Sequence, residues 1–392
     1  MELARSRGRD LVVLYLSMIV TRVGFGVIII LFPIYLFGAS DLELAIALAL
    51  YPVFEAFSAV PLGGLCDTRG RKQVFVVALA YISLLTAVIG VTRNLYFVAS
   101  VHALMGIGAA GVTVSSLTMI TDLTHVKNRG KGMGLFDFSN IGGYAVGLLL
   151  GGRLQNLFAA DLGYAFAATG AVIAVGLVVS AISLREPVHS TKREKVELNP
   201  FKALDSRTKA ILPIWLALTA LIGIAFFLPR ALGRLGFEAT TTSYVLFAGV
   251  AALGAGSVGF GALSDRVGRE KVLLIGIVGL FGLLISLAKA LGEGATLEGL
   301  VQNLYLIGPF ALATSALVPT ILATVGDRAR EEMRGSAMGL YSVMLSGGIA
   351  FGTLVAGVAH SVGGLPAILY TGAGLFLLAC IVSLVLLRRL RN

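Results

Sequence analysis

Charge is what this chain has least of. Only 13% of its 392 residues are charged, 57% are hydrophobic, and the mean hydropathy is +0.91. So few charges cannot cover the surface of a water-soluble protein of this size, which excludes an assembly of soluble domains. Cysteine is nearly absent too. Cys66 and Cys380 lie too far apart in the chain to build a disulfide framework or a cysteine-based zinc site. The G-x4-G-K-[ST] phosphate loop is missing, so the chain is not by itself a nucleotide-driven pump. H-E-x-x-H and G-x-S-x-G are missing as well, and four scattered histidines assemble no metal motif. An enzyme is therefore not expected, and no cofactor or metal is implied.

What the chain has instead is apolar length. Runs able to cross a hydrocarbon core of ~30 Å fall near 11–37, 44–66, 73–92, 95–121, 133–157, 161–184, 210–229, 242–264, 272–291, 300–326, 336–361 and 366–387. Backbone groups in lipid need partners within their own segment, so these runs are expected to be helices. The first run lacks a small-residue cleavage site and reads as a full span, not a secretory signal. The 49 glycines suit helices that must approach closely in lipid.

The basic residues set the expected orientation. The two ends and alternate connections (1–10, 67–72, 122–132, 185–209, 265–271, 327–335 and 388–392) hold 25 of the 31 Lys and Arg. The opposite side holds Arg93, Arg230, Arg234 and Lys289. By the positive-inside tendency both termini are cytoplasmic, in a multi-pass protein of the inner membrane. The net charge of +10 is then a topology signal and an attraction to anionic lipid headgroups, not a nucleic-acid footprint.

The longest polar stretch, Glu186 to Lys209, separates six spans from six. The expected organisation is an N-terminal six-helix bundle over 1–185, a cytoplasmic linker over 186–209 and a C-terminal six-helix bundle over 210–392. The halves echo one another. Gly63-Gly64-Leu65-Cys66-Asp67-Thr68-Arg69-Gly70-Arg71 and Gly261-Ala262-Leu263-Ser264-Asp265-Arg266-Val267-Gly268-Arg269 both read G-x-L-x-D-x-x-G-R. Arg129-Gly130-x-x-Met133-Gly134-Leu135 recurs as Arg334-Gly335-x-x-Met338-Gly339-Leu340, and the same offset pairs Gly143 with Gly348 and Gly147 with Gly352. Several matches at one offset argue for duplication. Halves of six spans each share one orientation, so they are parallel repeats with a binding site expected between them.

Over essentially its whole length the chain resembles the major facilitator superfamily. That family's loop signature G-x-L-x-D-R-x-G-R-K is present as Gly63, Leu65, Asp67, Gly70, Arg71 and Lys72, with Thr68 replacing the first arginine. The span 5 pattern of its proton-driven drug exporters, G-x8-G-x3-G-P-x2-G-G, appears as Gly134, Gly143, Gly147, Gly151 and Gly152, with Leu148 in place of proline. Their span 4 pattern R-x-x-Q-G appears as His102-x-x-Met105-Gly106. The resemblance implies an all-helical fold of twelve spans in two pseudo-symmetric bundles. It also implies a monomeric secondary transporter that rocks its halves about a small-molecule site and draws on the proton gradient.

Three groups of residues are then singled out. Asp67 and Asp265 end spans 2 and 8. Each is expected to meet the start of a span in the other half, near 334–336 and 130–132, as a latch on the cytoplasmic side, with Arg71 and Arg269 holding the carboxylates or reaching headgroups. Gly143, Gly147 and Gly151, echoed by Gly348 and Gly352, form small-residue faces. In the resembling exporters such a face abuts the opposite half as a seal or hinge; static packing is the alternative. Arg22 and Glu55 lie at matching depths of spans 1 and 2, where ionisable groups are costly enough to suggest function. They form either a proton- or anion-sensitive pair or a permanent ion pair. His102 is either a proton relay to Glu55 or a neutral hydrogen-bonded residue, and Asp137 either joins the inner gate or is structural. Trp215, Phe226, Phe227, Asn303, Tyr305 and Tyr341 are candidate cavity surface. The function expected is proton-coupled efflux of amphipathic or drug-like molecules. The alternative is a symporter or uniporter for one metabolite, which Arg22 keeps open for anions.

Overall fold

The computed structural model describes residues 2–124, 129–186, 205–291, 296–328 and 334–390. Among them every regular element is a helix: α1 (Glu2–Tyr35), α2 (Asp41–Arg69), α3 (Arg71–Ile89), α4 (Leu95–Leu123), α5 (Arg129–Leu157), α6 (Gly163–Ser183), α7 (Ser206–Arg234), α8 (Ala239–Val267), α9 (Arg269–Ala290), α10 (Leu297–Gln302), α11 (Leu304–Thr314), α12 (Leu317–Arg328) and α13 (Arg334–Arg389). Ten described stretches are long and apolar enough to cross a membrane. One of these, Val343–Arg389, covers two passes; with α5 the twelve expected spans are accounted for.

Two expected spans differ in form. The tenth is not one helix but three pieces. Asn303 turns its side-chain amide back to the Gly299 carbonyl (2.7 Å), and the Ser315 hydroxyl donates to Leu312 O (2.5 Å). Pro309 lies inside α11. Such residues offer the backbone alternatives to helical bonding, or withhold a donor. Spans eleven and twelve run together as α13, which turns at Gly363 (φ −152°) and Gly364 (φ 62°). The left-handed conformation of Gly364 is one that side chains disfavour.

Contacts divide the chain into two units, Met1–Lys192 with Ala239–Phe247 and Arg193–Glu238 with Ala248–Asn392. In the first, α1 is the central helix: Leu14, Met18, Ile30, Leu31 and Phe32 are fully buried. The Ser17 and Ser180 hydroxyls bond α1 to α6 (2.7 Å), and Ser83 donates to Gly170 O to bond α3 to α6 (2.8 Å). The first turns of α8 belong to this unit, where Asn156 donates to the Thr240 hydroxyl (2.9 Å). The second unit packs α13 on α7 by the same device that joins α5 to α1, a close approach through glycine. An added Cβ at Gly348 would meet Thr219, and one at Gly352 would meet the Ala220 carbonyl.

Helix starts follow local chemistry. Ser40 and Glu43 close a capping box on α2, and the Asn94 side chain caps α4 by accepting from Phe97 N (3.0 Å). Residues 187–204, most of the expected linker, lie outside the described residues.

Candidate functional site

The first unit gathers its polar side chains around Arg22. Gly143 on α5 makes this possible: a Cβ there would lie 2.6 Å from both the Arg22 Cβ and the Ile19 carbonyl. Gly147 meets Gly26 in the same way, with its added Cβ 2.8 Å from the Gly26 Cα. The two backbones therefore run in contact, and Arg22 reaches the residues flanking Gly143. Its Nε donates to Asn140 Oδ1 (2.5 Å), Nη1 to the Tyr144 hydroxyl (3.2 Å) and Nη2 to Thr113 Oγ1 of α4 (3.3 Å). Asn140 is oriented for this by donating its amide to Phe136 O (2.8 Å). The guanidinium also lies over the rings of Phe25 (5.3 Å) and Tyr144 (5.5 Å).

Arg22 is only 9% exposed, and its described hydrogen bonds all go to neutral oxygens. A guanidinium is a costly group to hold inside a membrane span, and neutral acceptors offset only part of that cost. The remaining compensation acts through space. Glu55, half-buried on α2, interacts with Arg22 electrostatically, as do the hydroxyls of Tyr51 and Tyr144. Arg22 and Glu55 are thus brought to one cluster, as their depths in the sequence suggest.

His102 lies on the other side of Tyr51. Its ring stacks on Tyr51 (5.1 Å between centroids, 26°) and packs against Phe32 (4.5 Å). Its Nδ1 is 3.0 Å from the Ala47 carbonyl. A carbonyl only accepts, so Nδ1 carries a hydrogen. The histidine is therefore a buried, aromatic-packed ring bonded to backbone. The side chain of Asp137 lies outside the described residues.

Sequence reasoning missed Asn140, Tyr144, Thr113 and Tyr51. One signal was present: polar residues at positions 140 and 144 flank Gly143 one helical turn apart.

The glycine faces each meet a helix of their own unit. Gly143, Gly147 and Gly151 pack on α1 of their own unit, where an added Cβ at Gly151 would lie 2.8 Å from the Ile30 Cβ. Gly348 and Gly352 pack on α7, in the second unit. These five glycines hold helices together within a unit, because their missing side chains are the space into which α1 and α7 fit.

The twin loops are built alike and anchored differently. Gly70 and Gly268 both have φ near +98° (99° and 98°), which explains the glycine at that place in each signature. In the second unit Arg269 holds Asp265 (2.7 Å) and the Ser264 hydroxyl (2.5 Å). In the first, Arg71 instead pairs with Asp122 at the end of α4 (3.0 Å). The Glu186 carboxylate accepts from the amides of Arg71 (2.6 Å) and Lys72 (2.9 Å), capping α3 from the end of α6. Thr68, at the position of the family's arginine, bonds back to Gly64 O (3.1 Å). The side chain of Asp67 and those at 130–132 and 334–336 lie outside the described residues.

Among the aromatics, Trp215 and Phe227 are buried in the second unit, with Phe227 against His360 (5.6 Å), while Tyr305 is exposed. Phe226 is half-buried, Asn303 caps α10, and the Tyr341 side chain lies outside the described residues.

Comparison with known proteins agrees with this architecture. Multidrug resistance protein MdtG of Escherichia coli O9:H4 (strain HS) is 22% identical over 98% of this chain and 95% of its own length. The crystal structure of a bacterial homologue of the human lysosomal transporter Spinster, inward-facing and occupied, superposes with a TM-score of 0.78 at 17% identity, covering 97% of each chain. That of the human organic anion transporter MFSD10 (TETRAN) superposes at 0.68 and 18% identity, covering 96% of this chain and 99% of its own. The Major Facilitator Superfamily model matches residues 14–307 and 260–392, so the chain belongs to the Major Facilitator Superfamily and is a membrane transporter, not an enzyme.

Proposed function

We propose that this transporter exports amphipathic, drug-like small molecules by alternating access, with protons exchanged at Glu55 as the energy source. The observation that carries the reading is the buried Arg22 cluster with Glu55 beside it, because a titratable carboxylate facing a fixed positive charge can change state without leaving the span. The near full-length similarity to multidrug resistance protein MdtG supports the substrate class. In this reading the chain works as a monomer in the inner membrane with both termini inside, and draws on no cofactor. Asp67 with Arg71 and Asp265 with Arg269 guard the inner gate.

The test is flux in proteoliposomes under an imposed pH gradient. Substrate-dependent proton movement is expected in the native protein and absent in Glu55→Gln. Proton movement that survives in Glu55→Gln sinks the coupling role.

A second reading, proton-linked transport of one organic anion, is favoured by the neutral hydrogen-bond acceptors of Arg22. The structural similarity to the organic anion transporter MFSD10 is consistent with it.

A further inference from the structure

Among the described residues, Arg22 has more donors than its neighbours use. A guanidinium carries five N–H groups, and three are given to Asn140, Tyr144 and Thr113. One N–H on each terminal nitrogen remains beyond those bonds. The Tyr144 hydroxyl accepts from Arg22, so its own hydrogen is left to donate. Tyr51 adds a further donor: its hydroxyl is buried and has no hydrogen-bond partner among the described residues. A buried orphan hydroxyl goes without its hydration unless something else satisfies it.

These donors share one place. Phe25 touches both members, with Arg22 over its ring at 5.3 Å and Tyr51 edge-on to it at 5.4 Å. Tyr51 and Arg22 each also lie close enough to Tyr144, to Glu55 and to one another to interact electrostatically. The donors number four, and a carboxylate offers about four lone-pair sites. Planar, paired acceptance from a guanidinium is the strong form of such a contact. Phe25, Phe32 and the stacked Tyr51–His102 pair supply apolar and aromatic surface nearby.

We propose that Arg22, Tyr51 and Tyr144 form an oxyanion subsite that takes the carboxylate or sulfonate of an amphipathic organic anion. This deepens the second reading above and rests on it. Asn140 and Thr113 are positioning residues that hold the guanidinium, and the anion completes its donor set.

The experiment uses the full chain in detergent and three probes that share one ring system: 1-naphthoate, 1-naphthamide and 1-naphthylmethylamine. Affinity is read from the shift of the thermal midpoint with probe concentration. The native protein should bind the naphthoate at least about 10-fold more tightly than the amide, the scale of a charge-assisted hydrogen bond. Arg22→Gln should erase that preference, and Tyr51→Phe should reduce it about 3- to 10-fold. A preference kept in Arg22→Gln, or a native protein that favours the amide or the amine, overturns the subsite. If Arg22→Gln does not purify as a single species, Arg22→Lys keeps the charge and loses the paired donors. A preference unchanged in both Arg22→Lys and Tyr51→Phe also overturns it. Probe flux is measured in parallel in proteoliposomes. Native vesicles that move none of the probes, with the naphthoate preference intact, defeat the transport reading and leave the subsite standing.

Discussion

Gly143 is the residue on which the site's geometry turns, and its neighbour provides the control. A methyl at Gly143 would collide with the Arg22 Cβ and the Ile19 carbonyl, whereas one at Gly142 would meet nothing within 4 Å. Backbone cannot yield as a flexible side chain can, so Gly143→Ala should push α1 from α5 at a cost of ~1–3 kcal/mol. Gly142→Ala should be neutral or slightly stabilising, since alanine is the better helix former by ~1 kcal/mol. Thermal midpoints in detergent check the pair, and transport should fall at least about 10-fold in Gly143→Ala, because a shift of ~1 Å misplaces the guanidinium. A Gly143→Ala protein as stable and active as Gly142→Ala would refute the account. The sequence made Arg22, Glu55 and the glycine ladder visible because charge and missing bulk stand out in an apolar run. Asn140, Thr113 and Tyr51 did not stand out. Uncharged polar side chains can satisfy themselves on their own helix, so only packing reveals which of them serves a neighbour.

At the scale of elements, the same loop motif is anchored in two ways, and the difference can be measured. Gly70 and Gly268 have the same positive φ, but a Cβ at Gly70 would lie 2.9 Å from the Glu186 carboxylate, and one at Gly268 would meet nothing within 4 Å. Gly268→Ala therefore costs backbone strain alone, ~1–3 kcal/mol. Gly70→Ala costs that strain and also displaces the cap of α3. Gly70→Ala should thus lower the thermal midpoint more than Gly268→Ala, and Glu186→Gln alone should cost ~0.5–2 kcal/mol. Equal losses at the two glycines would show that Glu186 is not a working cap. The duplicated glycine was legible because its spacing repeats. The cap was not, because Glu186 lies 115 positions from the amide of Arg71 that it serves, and no local pattern links the two.

For the whole molecule, the helical spans and the family were legible, because lipid forces helices on any long apolar run. The breaks in the tenth span were not, since Asn303 and Ser315 redirect a helix only where packing lets them. How the cluster couples to transport depends on the sign of a linkage. Glu55 shares its surroundings with Arg22 of α1, Tyr51 of its own helix, and Tyr144 of α5; His102 of α4 stacks on Tyr51, and Asp137 belongs to α5 as well. A cationic substrate competes with the proton for the Glu55 carboxylate, so each expels the other and the two exchange across the membrane. An anion on Arg22 is repelled by ionised Glu55 and tolerated by the protonated form, so anion and proton load together. Linkage is reciprocal, and the substrate's charge therefore fixes the direction of proton flow. With a pH dye sealed inside proteoliposomes, external 1-naphthylmethylamine should drive protons out of the lumen as it enters, making it alkaline. External 1-naphthoate should carry protons in and make it acidic. Glu55→Gln should abolish both signals. Alkalinisation by both probes would place the anion somewhere other than beside Glu55, and silence with both in the native protein would remove Glu55 from the coupling altogether.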